Sequence, residues 1–99
     1  TRSRPGAMVC HNDQVAMTAL SCLHQRGIRV PQDLSLVGFD NLPESQYLAP
    51  PLTTIDNHID RCMQMAVELL TWRLENPRSK PREEVIEGSW VERSSVRSV

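Results

Sequence analysis

Two pairs of adjacent polar residues could bind a ligand in this sequence of 99 residues. Asn12 and Asp13 follow one short apolar run, and Asp40 and Asn41 follow another. Amides donate and accept hydrogen bonds, and an ionised carboxylate accepts charge-assisted bonds from two neighbouring hydroxyls. This chemistry suits a sugar or another polyol. The elements that carry the two pairs decide whether the pairs can act together.

Both apolar runs are typical of β-strands. The second run, in residues 34–41 (LSLVGFDN), is a short apolar run of two leucines and a valine that ends in Gly38 and Phe39 and then turns polar, which is typical of a strand buried on both faces in a parallel sheet. Residues 7–10 form the first run, a short strand after the Pro5-Gly6 turn signal.

A helix is predicted between the two strands, over residues 13–26. Asn12 or Asp13 is a suitable N-cap, and Gly27 stands where a left-handed C-terminal cap belongs. The predicted core face of this helix has apolar residues at spacings of three and four: Val15, Ala16, Ala19, Leu20 and Leu23.

A strand, a helix and a second strand in this order form a right-handed parallel crossover. The polar pairs then share the carboxyl edge of one sheet, where neighbouring strands lie about 4.8 Å apart and where α/β proteins bind ligands. Asn12 and Asp13 are equally explained as helix caps. Asp40 has no helix to cap, and Asn41 could contact a ligand or shape the loop.

The middle of the chain is predicted to be a loop followed by a strand. Residues 42–51 contain Pro43, Pro50 and Pro51, which exclude a regular helix or a central strand. Residues 52–55 are short and favour β-structure.

A second helix is expected to be capped by Asp56 or Asn57 and to end at Asn76. One face of it is apolar, with Ile59, Met63, Ala66, Val67, Leu70 and Leu74. Three segments follow: two strand-like runs and a tail, at residues 83–87, 89–93 and 94–99. One crossover cannot cover both faces of a parallel sheet, and the first residue is not Met, so we expect part of a larger domain.

The composition excludes several classes of protein. A formal net charge of −1 gives no basic surface for nucleic acid, so this chain is not expected to bind DNA by itself. Three scattered cysteines form no disulfide framework and fit a reducing cytoplasm. No apolar run reaches the length of a membrane span or of a signal peptide, so no membrane partner is expected.

The sequence gives no support for catalysis, a metal or a cofactor. It lacks a nucleophile elbow and a phosphate-binding glycine loop. Cys10 and His11 point to opposite faces of a strand, and no zinc spacing occurs. His24 and His58 are interpreted as helix-surface and near-cap residues. Trp72 and Trp90 could serve the core, an interface or ligand stacking.

The motifs together resemble the effector-binding core of the lac-repressor/galactose-repressor family of bacterial transcription regulators. The resemblance covers residues 7–96 and is carried by CHND, QVAMTAL, RGIRVPQDLSLVGFDN and YLAPPLTTID. It implies an α/β, periplasmic-binding-protein-like fold of two lobes, with parallel sheets and helices on both faces, of which this is the C-terminal portion. A complete member would carry an N-terminal helix-turn-helix headpiece for operator DNA, which these 99 residues lack.

The resemblance also implies which residues form each lobe, which bind the ligand and which form the dimer surface. Residues 1–51 match the lobe far from DNA, 52–79 a crossover and a helix of the other lobe, and 80–99 the terminal strands and tail. Matches to ligand-binding positions are Asn12, Asp40, Asn57 and Ile59, with Asn57 standing where glutamine is frequent. Positions that match the surfaces of the family homodimer are Met17, Leu20, Glu44, Tyr47 and Leu48.

The function implied is allosteric: a sugar-like effector binds between the lobes and changes the affinity of the headpieces for the operator. A sugar-binding protein of a transport system with the same fold is the alternative. An enzyme is disfavoured because no nucleophile, base or metal set converges.

Overall fold

A computed structural model describes residues 5–98 of the chain. The first four residues and Val99 lie outside the described part, so the start of the first predicted lobe and the last residue of the predicted tail cannot be compared. The elements, in chain order, are β1 (Ala7–Val9), α1 (Asp13–Gln25), β2 (Ser35–Val37), a 3₁₀ helix (Pro43–Tyr47), β3 (Thr54–Asp56), α2 (Ile59–Glu75) and β4 (Ser89–Val91).

The predicted strand-helix-strand crossover is confirmed. β1 and β2 are parallel neighbours, with Met8 opposite Leu36 in the register, and α1 connects them. Every residue of β2 is buried, as the continuous apolar run predicted. The core beside β2 is small and is formed by Cys10, Ala16, Leu36 and Leu52, against which Met8, Ala19, Leu20, Val30 and Leu48 pack.

Both ends of α1 are fixed by local sequence. The side chain of Asn12 accepts a hydrogen bond from the backbone N–H of Val15 at 2.9 Å, so Asn12 rather than Asp13 is the N-cap. At the other end Gly27 has φ +71°, and the N–H groups of Gly27 and Ile28 bond back to the last turn. This is the left-handed glycine cap that the sequence predicted, and it ends the helix at Gln25.

The chain then crosses from the first sheet to a second one. Thr53 forms a parallel bridge with Val37, and the N–H of Gly38 donates to the Thr53 carbonyl at 2.9 Å. β3 continues from there and pairs antiparallel with β4, with Ile55 opposite Trp90. β3 therefore begins two residues later and ends one residue later than the strand predicted at residues 52–55, and Thr53 extends the parallel pairing of β2.

Several expectations about the second half are wrong. The proline-rich loop contains one short 3₁₀ helix, because Pro43 fits its first turn. Neither Asp56 nor Asn57 caps α2: the residue before the helix is His58, in a left-handed conformation with φ 52° and with no side-chain cap. Residues 83–87 are irregular rather than a strand.

The predicted tail is part of the core. Ser95 is buried, its hydroxyl donates to the Leu36 carbonyl at 2.5 Å, and its Oγ accepts from the backbone N–H of Thr53 at 2.8 Å. The carbonyl of Ser95 also accepts from the N–H of Leu36 at 2.9 Å. A serine-rich segment gave no apolar signal, yet it lies beside β2 because it satisfies backbone groups there.

Helix α2 has its predicted apolar stripe, but within residues 5–98 nothing covers it. Exposure along the stripe runs from 54% at Ile59 to 73% at Leu74. The other side of the helix is half-buried, and Met65 and Leu69 line a shallow cavity there with Ile86. The segment that follows α2 lies along that side, where Arg82 stacks on the ring of Trp72 at 5.1 Å.

Gly38 tests how closely the loop after β2 packs against Asp13 and Leu52. A Cβ at this position would overlap the Asp13 carboxylate and would lie 2.8 Å from Leu52 Cδ2. We expect Gly38→Ala to lower the free energy of unfolding by about 2 kcal/mol or more through overpacking. Gly6→Ala is the control, since its nearest neighbour lies 3.6 Å away. Urea denaturation measures both variants, and equal stability of the two would contradict this packing.

Candidate functional site

The loops that follow β1 and β2 are joined directly. The backbone N–H of Asp13 donates to the Phe39 carbonyl at 2.8 Å. Asn12 precedes the donor and Asp40 follows the acceptor. The two polar pairs therefore lie at one edge of the sheet, as the strand order predicted.

The side chain of Asn12 caps helix α1 at that edge. Its Oδ1 is occupied by the helix cap, and its Nδ2 has no hydrogen-bond partner among the residues that the structure describes. The capping interpretation of Asn12 is thus confirmed, and the amide N–H₂ group still offers two donors at the site.

Asp13 is a fully buried carboxylate that joins three segments. Its Oδ1 accepts from the hydroxyl of Thr54 at 2.6 Å, and its Oδ2 accepts from the backbone N–H of Leu42 at 2.8 Å. Helix α1, the loop after β2 and strand β3 meet at this one side chain. The sequence pattern indicates a helix cap or a ligand-binding residue at Asp13 and does not predict this junction, because the donors lie far away along the chain.

Asp40 and Asn57, two of the predicted ligand-binding residues, contact each other. Nδ2 of Asn57 donates to Oδ1 of Asp40 at 2.9 Å, across the boundary between the β2 loop and the end of β3. The carbonyl of Asn57 in turn accepts from the thiol of Cys62 at 3.3 Å. Both side chains are half-buried. A carboxylate oriented by an amide from another segment is a preorganised acceptor for hydroxyl groups.

The backbone at this point is held in an uncommon conformation. Asp40 has φ 115° and Asn41 has φ 56°, in the region where side chains other than glycine are disfavoured. The N–H of Asp40 donates to the Ile55 carbonyl at 2.9 Å, so neighbouring segments fix the turn. Backbone strain of about 1–3 kcal/mol is maintained only where the surroundings enforce it, and such positions cluster at functional sites.

Asn41 shapes the loop. Its Oδ1 accepts from Arg93 at 2.8 Å, and its Nδ2 donates to Asp56 at 3.3 Å. Arg93 also donates to the Ser45 hydroxyl and to the Leu52 carbonyl, both at 2.8 Å. The sequence left Asn41 undecided and did not single out Arg93, which lies in a run interpreted only as a strand.

Asp56, His58 and Ser89 lie together at the start of α2. His58 Nε2 and Ser89 Oγ are 2.8 Å apart, but Nδ1 of the same ring is 3.7 Å from Asp56 Oδ1, beyond hydrogen-bond distance. That oxygen already accepts the backbone N–H of His58 at 2.8 Å. This bond lowers the pKa of the Asp56 carboxyl, against a smaller opposing effect of desolvation. The three residues tie β3 to β4 instead of activating Ser89.

A cleft of about 480 Å³ opens beside Asn57. Most of its lining is apolar and comes from the β2 loop, β3, the start of α2 and the approach to β4: Phe39, Ile55, Asn57, Cys62, Ile86, Gly88 and Trp90. Ile59, the fourth predicted ligand residue, is 54% exposed at the first position of α2 and is not part of this lining. The structure therefore joins Asp40 to Asn57, places Asn12 at the same edge and leaves Ile59 exposed outside the cleft.

Residues 5–98 contain no cluster of metal-ligand side chains. No group of three or more His, Cys, Asp or Glu side chains there could hold a metal ion. Burial raises the pKa of the Cys10 thiol, so this cysteine packs as a neutral core residue. None of the helices in the described part is long and apolar enough to cross a membrane.

Comparison with known proteins identifies related domains. Residues 1–96 match the family model of the periplasmic binding protein-like domain. Over 97 residues the chain is 40% identical to the ribose operon repressor of Haemophilus influenzae. The matched region covers 98% of this chain and 29% of the repressor. The chain therefore spans less than a third of that curated relative.

Solved structures agree with this match. A LacI-type transcription regulator from Bifidobacterium animalis superposes with a TM-score of 0.85 and 46% identity, over 96% of this chain and 34% of the other. A LacI family regulator from Enterococcus faecium, solved with bound ribose, superposes with a TM-score of 0.84 and 29% identity. This match covers 95% of this chain and 35% of the other. Both match nearly the whole chain, so the fold predicted from the sequence is confirmed.

The buried bond between Thr54 and Asp13 can be tested by substitution. Thr54→Val preserves the shape but removes the donor to a buried carboxylate, and we expect a loss of about 2 kcal/mol in the free energy of unfolding. Thr71→Val is the matched control, because that hydroxyl bonds a helix carbonyl at the exposed surface. Its expected effect is within about 0.5 kcal/mol. Similar losses in the two variants, measured by denaturation, would contradict the role given to Asp13.

Proposed function

Because this chain belongs to the periplasmic-binding-protein-like domains, in the form found in LacI-type transcription regulators, we propose that it senses a sugar-like effector for a DNA-binding regulator. The proposal covers three parts: a binding site at the edge of the first sheet, a dimer surface, and control of operator binding through a headpiece outside these residues.

The observation that carries the proposal is the pairing of Asp40 with Asn57. Asp40 follows a buried parallel strand, and the amide that orients it comes from the segment that leads to the second sheet. Its Oδ1 receives the Asn57 amide, while no hydrogen bond to Oδ2 occurs among the described residues. A carboxylate in this state has room for the hydroxyl groups of a polyol.

The same geometry provides a route for allostery. Asp40 and Asn57 lie on either side of the crossing from the first sheet to the second, so a ligand that bonds both side chains would favour one arrangement of the crossing. Coupling between an effector site and a distant site is typically about 1–3 kcal/mol. The assignment of residues 1–51 and 52–79 to different lobes is part of this proposal.

The related proteins favour regulation over transport. The Haemophilus relative is named a ribose operon repressor, and the Enterococcus regulator was solved with ribose. Ribose is therefore the first effector to test, and a reaction catalysed by this domain is not part of the proposal. We place the protein in the cytoplasm, where operator DNA lies.

The dimer surface is proposed from exposure as well as resemblance. Tyr47 is 80% exposed at the end of the 3₁₀ helix, and Glu44 is exposed in its first turn. Leu20 and Leu48 pack against the core, so only part of each side chain is available to a partner. Met17 is half-buried on α1.

The binding site is tested with Asp40→Asn. This change keeps the shape and removes the charge, so we expect the affinity for the effector sugar to fall by about tenfold to a hundredfold, equivalent to one charge-assisted hydrogen bond. A thermal-shift screen of sugars, with ribose first, identifies the ligand, and isothermal titration calorimetry measures the affinity.

Asp33→Asn is the control, because Asp33 lies before the amino end of β2 and pairs with Arg29. Its affinity for the sugar should equal that of the unchanged protein. An unaltered affinity in Asp40→Asn would overturn the site, and a protein that binds no sugar at all would overturn the proposed function.

The dimer surface is tested with Tyr47→Asp. A charge placed in an apolar contact is expected to weaken self-association by at least about tenfold, since an unpaired charge is costly to desolvate. Val85→Asp is the control, with an apolar side chain of nearly equal exposure, 81%. Sedimentation equilibrium measures both dissociation constants, and a Tyr47→Asp protein that dimerises normally would exclude this surface.

A further inference from the structure

We propose that Arg93 makes sugar binding and dimerisation depend on each other, because its guanidinium joins the turn that carries Asp40 to the 3₁₀ helix that carries Tyr47. This inference rests on the proposed function and adds regulation to it: the affinity for the sugar differs between monomer and dimer. The side chain of Arg93 bonds to neighbours of Asp40 and Tyr47 and to neither of them, so Arg93 is a positioning residue.

One planar group reaches both segments. Nη1 of Arg93 donates to the hydroxyl of Ser45 at 2.8 Å, and Nη2 donates to Oδ1 of Asn41 at 2.8 Å. A further bond from Nη1, to the Leu52 carbonyl at 2.8 Å, fixes the plane of the group. Because the nitrogens of a guanidinium keep a rigid spacing, a shift of Ser45 is passed to Asn41.

The positive charge of Arg93 strengthens its bond to Asn41. The acceptors of the guanidinium in residues 5–98 are neutral, and the side chain is half-buried. A carboxylate lies one bond further on, since Nδ2 of Asn41 donates to Asp56 at 3.3 Å. A cation, an amide and a carboxylate in series polarise one another, which strengthens both bonds. Asn41 is therefore held from both ends.

The position of Asn41 controls the backbone of its neighbour Asp40. Their φ values of 56° and 115° belong to conformations that persist only where the surroundings enforce them. Arg93 supplies one of the enforcing contacts. If Asn41 moved, the carboxylate of Asp40 would move relative to Asn57, the amide that orients it.

Ser45 is the anchor of the 3₁₀ helix. It is fully buried, and both its N–H and its hydroxyl donate to the Leu42 carbonyl, at 3.0 and 2.7 Å. Its own carbonyl accepts from the N–H of Leu52 at 2.9 Å. Tyr47 lies two residues further on and is 80% exposed. A second copy of the chain that packs on Tyr47 therefore contacts a helix whose anchor is bonded to Arg93.

Two sites joined in this way affect each other by thermodynamic linkage. A sugar on Asp40 favours one position of the turn and, through Arg93, one position of Ser45. The dimer favours one position of the same helix. Because a dimer has two sugar sites, saturating sugar should change the dimer dissociation constant by the square of the factor by which dimerisation changes the affinity of each site.

The test measures both sides of this linkage in the full protein. Ribose, glucose and galactose are titrated by tryptophan fluorescence at protein concentrations below and above the dimer dissociation constant. Fluorescence-detected sedimentation measures that constant without sugar and with saturating sugar. We expect the sugar affinity to differ by about fivefold or more between monomer and dimer, and the dimer dissociation constant by about 25-fold or more.

Two variants remove the link. Arg93→Met keeps an apolar stem and removes the guanidinium, so both changes should fall toward one. Ser45→Ala removes only the hydroxyl that accepts from Arg93, and it should weaken the coupling in the same direction. Urea denaturation verifies that each variant is folded.

Arg93→Lys separates the geometry from the charge. A single ammonium cannot reproduce the rigid spacing of two nitrogens, so the coupling should be lost although the charge is kept. Arg97→Met is the control from the same terminal segment, because that guanidinium bonds the Gln32 carbonyl before β2. Its coupling should equal that of the unchanged protein. A lysine variant with full coupling would overturn the inference.

The two proposals fail in different ways. If a sugar binds through Asp40 and the protein dimerises through Tyr47, but neither constant depends on the other, the inference is wrong and the proposed function stands. Coupling that persists in both Arg93→Met and Ser45→Ala would also overturn the inference. If none of the three sugars binds, or the protein stays monomeric, the inference falls together with the corresponding part of the proposed function.

Discussion

The buried carboxylate of Asp13 is the contact on which the arrangement of this chain depends. One oxygen accepts from Thr54 on β3 and the other from the backbone of Leu42, while Gly38 leaves the space that the carboxylate fills. A charged group is stable without solvent only when its oxygens are hydrogen-bonded. Because its donors come from separate segments, Asp13 fixes where the loop after β2 turns and where β3 begins.

The candidate site is a consequence of that junction. With the β2 loop and β3 held together, Asp40 and Asn41 are kept in left-handed conformations, and Asn57 meets Asp40 from the other side. Asn41 is bonded within the loop by Arg93 and Asp56, whereas Oδ2 of Asp40 has no hydrogen bond among the described residues. Adjacent residues therefore differ in their bonding, because each side chain points to a different neighbour.

The second half of the molecule is held to the first by polar contacts as well as by the packing of Leu52 in the core. Ser95 bonds β2 and Thr53, and Arg93 bonds the loop and Leu52, whereas the apolar stripe of α2 stays exposed in residues 5–98. The solved chains of the two related regulators are about three times as long as this chain. The few polar contacts across the junction are compatible with a crossing that shifts when a ligand binds.

The sequence by itself determined the local elements of this protein. The buried run of β2, the spacing of α1 and its Gly27 stop all depend on neighbours within a few residues, so pattern and propensity were sufficient, and they limited the N-cap of α1 to Asn12 or Asp13. Strand order then placed Asn12 and Asp40 at one edge. The tertiary structure alone decided the role of Asp13, the partners of Arg93 and Ser95, and the side of α2 that is covered. Each of these depends on contacts between residues distant in the chain, such as Thr54 with Asp13, which no local pattern encodes.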